Sequence, residues 1–206
     1  MYFEKDYILR VIDMMGEFFA RLLALADRAD QQATLDGFCR ERCGLSLNVA
    51  LELDERTLKT LLDEKRLFLL SEALYLEAQL IPVAEEKARR RAARQALLLL
   101  SGLFEDDSVA RARSPRLKEL TDALQDWLSP EECLQCARFF LNGEALTDCE
   151  DMIFLAVEGS RDPGYYVTQG LALLYAMRAL PDETLVLGGM PREDVERAII
   201  DLRKLS

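Results

Sequence analysis

Apolar residues recur at three- and four-residue steps along almost the whole chain. Ile8, Val11, Met15, Phe18, Leu22 and Leu25 form the first such stripe, widened by Ile12, Phe19 and Ala26. Asp6, Arg10, Asp13, Glu17 and Arg21 fall on the opposite face. This spacing predicts an amphipathic helix over 3–26. A second helix is expected over 30–43, with Leu35, Phe38 and Cys39 inside and Gly44 as its stop. Leu45 to Asn48 reads as a turn. Asp54 is a suitable N-cap for a helix over 55–64, because its carboxylate can accept from the unpaired amides of a first turn. Residues 66–80, rich in Leu and Ala, read as a buried helix. Pro82 opens another, over about 82–101, polar from Glu85 to Gln95 and apolar from Ala96 to Leu100, with Gly102 after it.

Residues 104–114 carry the weakest pattern and are expected to be a loop or linker. Beyond them the punctuation becomes regular. Ser114-Pro115, Ser129-Pro130 and Asp162-Pro163 each set a capping residue before a proline, and Met190-Pro191 does so less well. Proline suits a first helical turn, where its missing N–H costs nothing. Helices follow at 115–127, 130–142, 145–158, 163–179 and 191–205, with a short piece at 182–187 closed by Gly188-Gly189. No long segment alternates with period two. The expected fold is all-α, with a helical bundle over 1–103 and a second region over 115–206.

Within 130–158, small residues (Ala137, Ala145, Cys149, Ala156) stand where two helices joined at Asn142-Gly143 would touch, and Phe140, Ile153 and Phe154 lie between them. Small residues let helices cross closely and bulky ones fill the groove. From Phe140, Cys149 follows nine positions later, Ile153 four further on, and Ala156 three after that. Pro163 begins the next helix 33 residues after Pro130. This stretch resembles a tetratricopeptide repeat, whose period is about 34. The likeness covers residues 130–180. Upstream, Ala84 lies nine after Tyr75, but Arg91 stands where a small residue belongs. The resemblance implies antiparallel helix hairpins stacked in a right-handed superhelix, and a protein-binding role. The whole chain is also similar to a small bacterial family of all-helical proteins that share such a C-terminal half and bring no activity to transfer.

Composition narrows the chemistry. The chain has 206 residues, half of them apolar, and no histidine. The commonest general base, the Ser-His and Cys-His nucleophile pairs and every His-containing metal site are excluded. The net charge of −11 is uneven. Residues 81–118 carry 9 basic and 5 acidic groups, and residues 119–206 carry 7 and 17. An acidic C-terminal region repels phosphate and argues against a broad nucleic-acid surface. The apolar run ending at Leu100 is well short of the ~20 residues that span a bilayer. The N-terminus, with Glu4, Asp6, Asp13 and Glu17, lacks the basic and apolar segments of a signal peptide. A cytoplasmic setting with no membrane span is expected.

The five cysteines are Cys39, Cys43, Cys133, Cys136 and Cys149. Cys39 with Cys43 and Cys133 with Cys136 share helix faces, and four thiolates can bind zinc. Their helical context favours packing as small hydrophobes, so no metal or other cofactor is expected. Lys87, Arg89, Arg90, Arg91 and Arg94 form a basic patch, extended by Arg111, Arg113, Arg116 and Lys118. It suits an acidic partner or nucleic acid, or else a solvated face paired with the chain's own carboxylates; no aromatic is interleaved for base stacking. Glu105-Asp106-Asp107 and Glu150-Asp151 are carboxylate clusters without the spacing of a calcium loop. In Tyr165-Tyr166 one ring can pack while the other sits at a groove edge.

These readings point to a protein-binding module, an adaptor or assembly factor without catalysis. Its groove would use Gln135, Arg138, Phe139, Asn142, Tyr166 and Gln169, on helices 130–142 and 163–179. The apolar stripe of 3–26 offers a homodimer seam or a cap on the helical array. The alternatives are a regulator acting through the arginine-rich helix and, last, a carboxylate-dependent enzyme.

Overall fold

A computed structural model describes residues 2–103 and 107–205, with side chains from Arg10 onward except that of Ser108. The described residues form helices and connecting turns, with no strand among them. The chain divides into two compact units, Met1–Leu100 and Ser101–Ser206.

The first unit holds α1 (Tyr2–Leu23), α2 (Arg28–Cys43), α3 (Leu47–Glu52), α4 (Glu55–Leu61), α5 (Glu64–Leu80) and, after a 3-10 turn at Val83–Glu85, all but the last residue of α6 (Glu86–Ser101). Side chains start these helices. Asp27, Ser46, Asp54 and Asp63 each accept from an amide of the following first turn. Gly44 adopts the left-handed conformation that ends α2. The core centres on α5, which is buried all round from Leu67 to Ala78, and α1 and α2 pack against it. Val11, Met15 and Leu22 of the first stripe are buried within the chain, and Phe18 stacks on Phe38 with ring centroids 4.5 Å apart. The side chain of Ile8 lies outside the described residues. Leu47 and Asn48, expected in a turn, belong to α3. Asp36 decides this from α2 by accepting from the Leu47 amide at 2.8 Å and from Arg40 Nε at 2.7 Å.

The second unit holds α7 (Asp107–Leu124), a 3-10 turn at Gln125–Trp127, α8 (Pro130–Asn142), α9 (Leu146–Glu158), α10 (Pro163–Arg178), α11 (Asp182–Leu187) and α12 (Arg192–Arg203). The loop expected over 104–114 is helical from Asp107 on; residues 104–106 lie outside the described residues. Pro115 therefore sits inside α7 rather than in its first turn. The reason is a buried stripe that runs through the proline: Val109, Ala110, Ser114, Leu117, Leu120, Thr121 and Leu124 are all buried. Burying it offsets the ~3 kcal/mol that an interior proline costs. The Ser114 hydroxyl, no cap, donates instead to the Ala110 carbonyl at 2.7 Å.

Three residues join α8 to α9, and these two helices pack most extensively of any pair. α10 packs on α8, α9 and α12. Close approach is written into two glycines. A Cβ at Gly143 would lie 2.8 Å from the Ala110 carbonyl oxygen, and one at Gly170 would lie 2.5 Å from Ile153 Cγ2 and 3.0 Å from Leu202 Cδ2. Ala137, Phe140, Cys149, Ile153 and Ala156 are fully buried. Among the described residues, no single helix is long and apolar enough to cross a membrane.

Candidate functional site

The second unit presents an open crevice of about 510 Å³ where three helix ends meet. The start of α8 supplies Pro130 and Glu131. The end of α9 and its connection supply Gly159, Ser160, Arg161 and Asp162. The start of α10 supplies Tyr165 and Tyr166. A capping box holds the first of these edges. Ser129 Oγ accepts from the Glu132 amide at 3.4 Å, and Glu132 Oε2 accepts from the Ser129 amide at 2.8 Å. That arrangement satisfies amides at the α8 N-terminus and leaves Glu131 exposed. Asp162 precedes α10 without capping it; its own amide donates to Ser160 Oγ at 3.0 Å.

The two tyrosines divide their roles. Tyr166 is buried, and its hydroxyl donates to Glu131 Oε1. Tyr165 is 54% exposed and meets the Tyr166 ring edge-on, with centroids 5.1 Å apart. The bond from Tyr166 holds the Glu131 carboxyl below the usual carboxylate range. In return, that bond and the carboxylate charge push the Tyr166 phenol up to about 12.

The groove residues expected from the sequence occupy two faces, α8 with Gln135, Arg138 and Asn142, and α10 with Tyr166 and Gln169. Arg138 Nη2 donates to Gln169 Oε1 at 3.4 Å, a second polar link between α8 and α10 beside the Tyr166–Glu131 bond. Gln135 Nε2 donates to Ser101 Oγ at 2.8 Å, and Asn142 is half-buried at the end of α8. Phe139 does not belong with them. It is fully buried and packs the core, because helices lie against more than one side of α8. Glu131, Ser160, Arg161 and Asp162 were missing from the sequence-based groove. Pro163 marks where α10 starts, but nothing in the sequence shows that this start lies beside Glu131.

The basic patch lies on α6 and is partly consumed by its own unit. Arg91 donates to the Leu51 carbonyl at 2.6 Å and pairs with Glu52 at 3.0 Å, gripping the end of α3. Arg90 pairs with Glu86. Lys87 and Arg94 are exposed, and Arg89 is half-buried. In the second unit, Arg111 pairs with Glu144 at 2.5 Å and Lys118 with Asp148 at 2.9 Å. All five cysteines are buried thiols. Burial pushes the Cys133 thiol up to about 12 and raises Cys149 as well. Among the described residues, no group of three or more Cys, Asp or Glu side chains is placed to hold a metal ion. Glu150 is half-buried and Asp151 exposed, and loss of solvent raises both carboxyls. Glu105 and Asp106 lie outside the described residues.

A family model matches residues 2–206, almost the entire chain, and its description is Family of unknown function (DUF6483). The chain belongs to this family. No curated protein and no solved structure matches it. The family description names no activity, so the functional reading rests on geometry.

Proposed function

We propose that this member of the family is a protein-binding module, an adaptor or assembly factor that works without catalysis in the cytoplasm. Its C-terminal unit would act as tetratricopeptide-like hairpins, α8 with α9 and α10 with the helices after it. One observation carries the reading. The polar side chains shared by α8 and α10 are ordered by bonds between the two helices, Tyr166 to Glu131 and Arg138 to Gln169, and the first of these pairs lines the crevice. Ordered polar groups beside an exposed aromatic lower the entropy lost when a partner docks. The short α8–α9 connection, the small residues between these helices and the packing of α10 on both also suit stacked hairpins.

The test is capture of partners by the tagged protein at low and high salt, with cross-links mapped by mass spectrometry. The reading expects a discrete protein retained at both salts and cross-linked to α8 or α10. Arg138→Ala combined with Gln169→Ala should weaken that capture and keep the fold. Retention that needs low salt and disappears when Arg89, Arg90, Arg91 and Arg94 are all changed to Ala would move the function to α6.

A further inference from the structure

The crevice at the starts of α8 and α10 combines two kinds of group. Tyr165, Tyr166 and the Pro130 ring give flat apolar surface, and Glu131 and Asp162 give carboxylates. Tyr166 takes one acceptor position on Glu131, while a carboxylate offers about four. Asp162 makes no capping bond and is exposed. Among the described residues lining the crevice, Arg161 is the cation, and it is exposed. Glu158, exposed at the end of α9, adds another negative charge along the chain. The surrounding sequence, 119–206, carries 17 acidic groups against 7 basic.

We infer that this crevice receives an arginine side chain from a basic segment of a partner polypeptide. The inference rests on the protein-binding reading and names the chemistry its partner must offer. A guanidinium is planar, stacks on an exposed tyrosine and forks onto carboxylate oxygens, which a compact ammonium does less well. The negative field of the unit draws such a segment in. An anion fits poorly, although two helices start here. Pro130 and Pro163 stand at first-turn positions without an N–H, and the Ser129–Glu132 capping box already satisfies an amide of the α8 first turn. Arg161 opposes the incoming cation. Its exposure leaves that repulsion screened over roughly 8 Å at physiological salt.

The probe is a peptide, acetyl-Gly-Arg-Arg-Gly-amide, titrated into the full chain beside its citrulline counterpart, which keeps the shape and loses the charge. Amide chemical shifts report the site. The arginine peptide should perturb the amides of Glu131 and of residues 159–162 and 164–166, and the citrulline peptide should not. Tyr165→Ala and Asp162→Asn change exposed groups, so the fold is retained. Each should weaken binding by about three- to ten-fold. Arg161→Ala should tighten it by about two- to three-fold, which a merely structural loop would not do. Equal binding of the citrulline peptide, or shifts spread over the whole acidic surface, would overturn the inference. So would Tyr165→Ala retaining a captured partner as well as wild type, and in that case the protein-binding reading would stand. A crevice that binds the arginine peptide in a protein that captures no partner would support the site and sink that reading.

Discussion

The two units order their helices by different means. In the first, Asp27, Ser46, Asp54 and Asp63 begin four consecutive helices with side-chain caps. Two of those helices are only six and seven residues long, well below the length at which an isolated helix holds itself together. In the second, the Ser129–Glu132 capping box starts α8, but α9 to α12 have no side-chain N-cap bond. Pro163, Pro181 and Pro191 mark the starts of α10, α11 and α12, and close packing at Gly143 and Gly170 holds the helices against their neighbours. Local hydrogen bonds should matter most in the first unit, and volume at helix contacts in the second.

The largest effects should come from breaking the second unit's packing. Phe140 is fully buried, so Phe140→Ala should cost about 3–5 kcal/mol, read by urea denaturation. Gly170→Val would drive branches into Ile153 and Leu202 and should cost about 1–3 kcal/mol or more. Caps come next. Asp54 accepts from the Thr57 amide at 2.8 Å, so Asp54→Ala should cost about 1 kcal/mol, while Asp162→Ala, which removes no cap bond, should stay within about 0.5 kcal/mol. A cost at Asp162 equal to that at Asp54 would end the comparison.

A smaller, pH-dependent effect sharpens the second unit. The Tyr166 phenol is raised, so the stability it contributes is present below its ordinary value and is lost as pH climbs toward about 12. The Glu131 carboxyl is lowered, so its share is present above the ordinary carboxylate range and is lost as pH falls through the depressed value. Thermal melts of wild type and Tyr166→Phe should therefore differ at neutral pH and converge at both extremes. No difference at any pH would mean that Tyr166 acts through its ring alone. The mildest test is chemical. All five thiols are buried, so a thiol reagent should label none of them before the chain unfolds.

Much of the helix pattern could be read directly. α8, α9, α10 and α11 lie within a residue of the expected spans because proline and glycine act through neighbours in the chain. The start of α7 was missed for the opposite reason. Its buried stripe needs a partner surface before it can overrule Pro115, and α8 packs against it. Phe139 and Phe140 are adjacent and equally apolar, so periodicity alone placed one of them outward. The packing of α7, α9 and α10 around α8 buries both. Nor could spacing tell Tyr165 from Tyr166; the Glu131 acceptor on another helix separates them.

By itself the sequence determined an all-helical chain without imidazole chemistry and with an acidic C-terminal portion, since helix periodicity, residue inventory and charge are properties of the covalent chain. Tertiary structure alone decided which side of each helix met protein or water, which arginines were spent on the chain's own carbonyls and carboxylates, and that Glu131, Arg161, Asp162 and Tyr165 share one crevice. Those choices depend on contacts between residues tens of positions apart, and such contacts exist only once helices have packed.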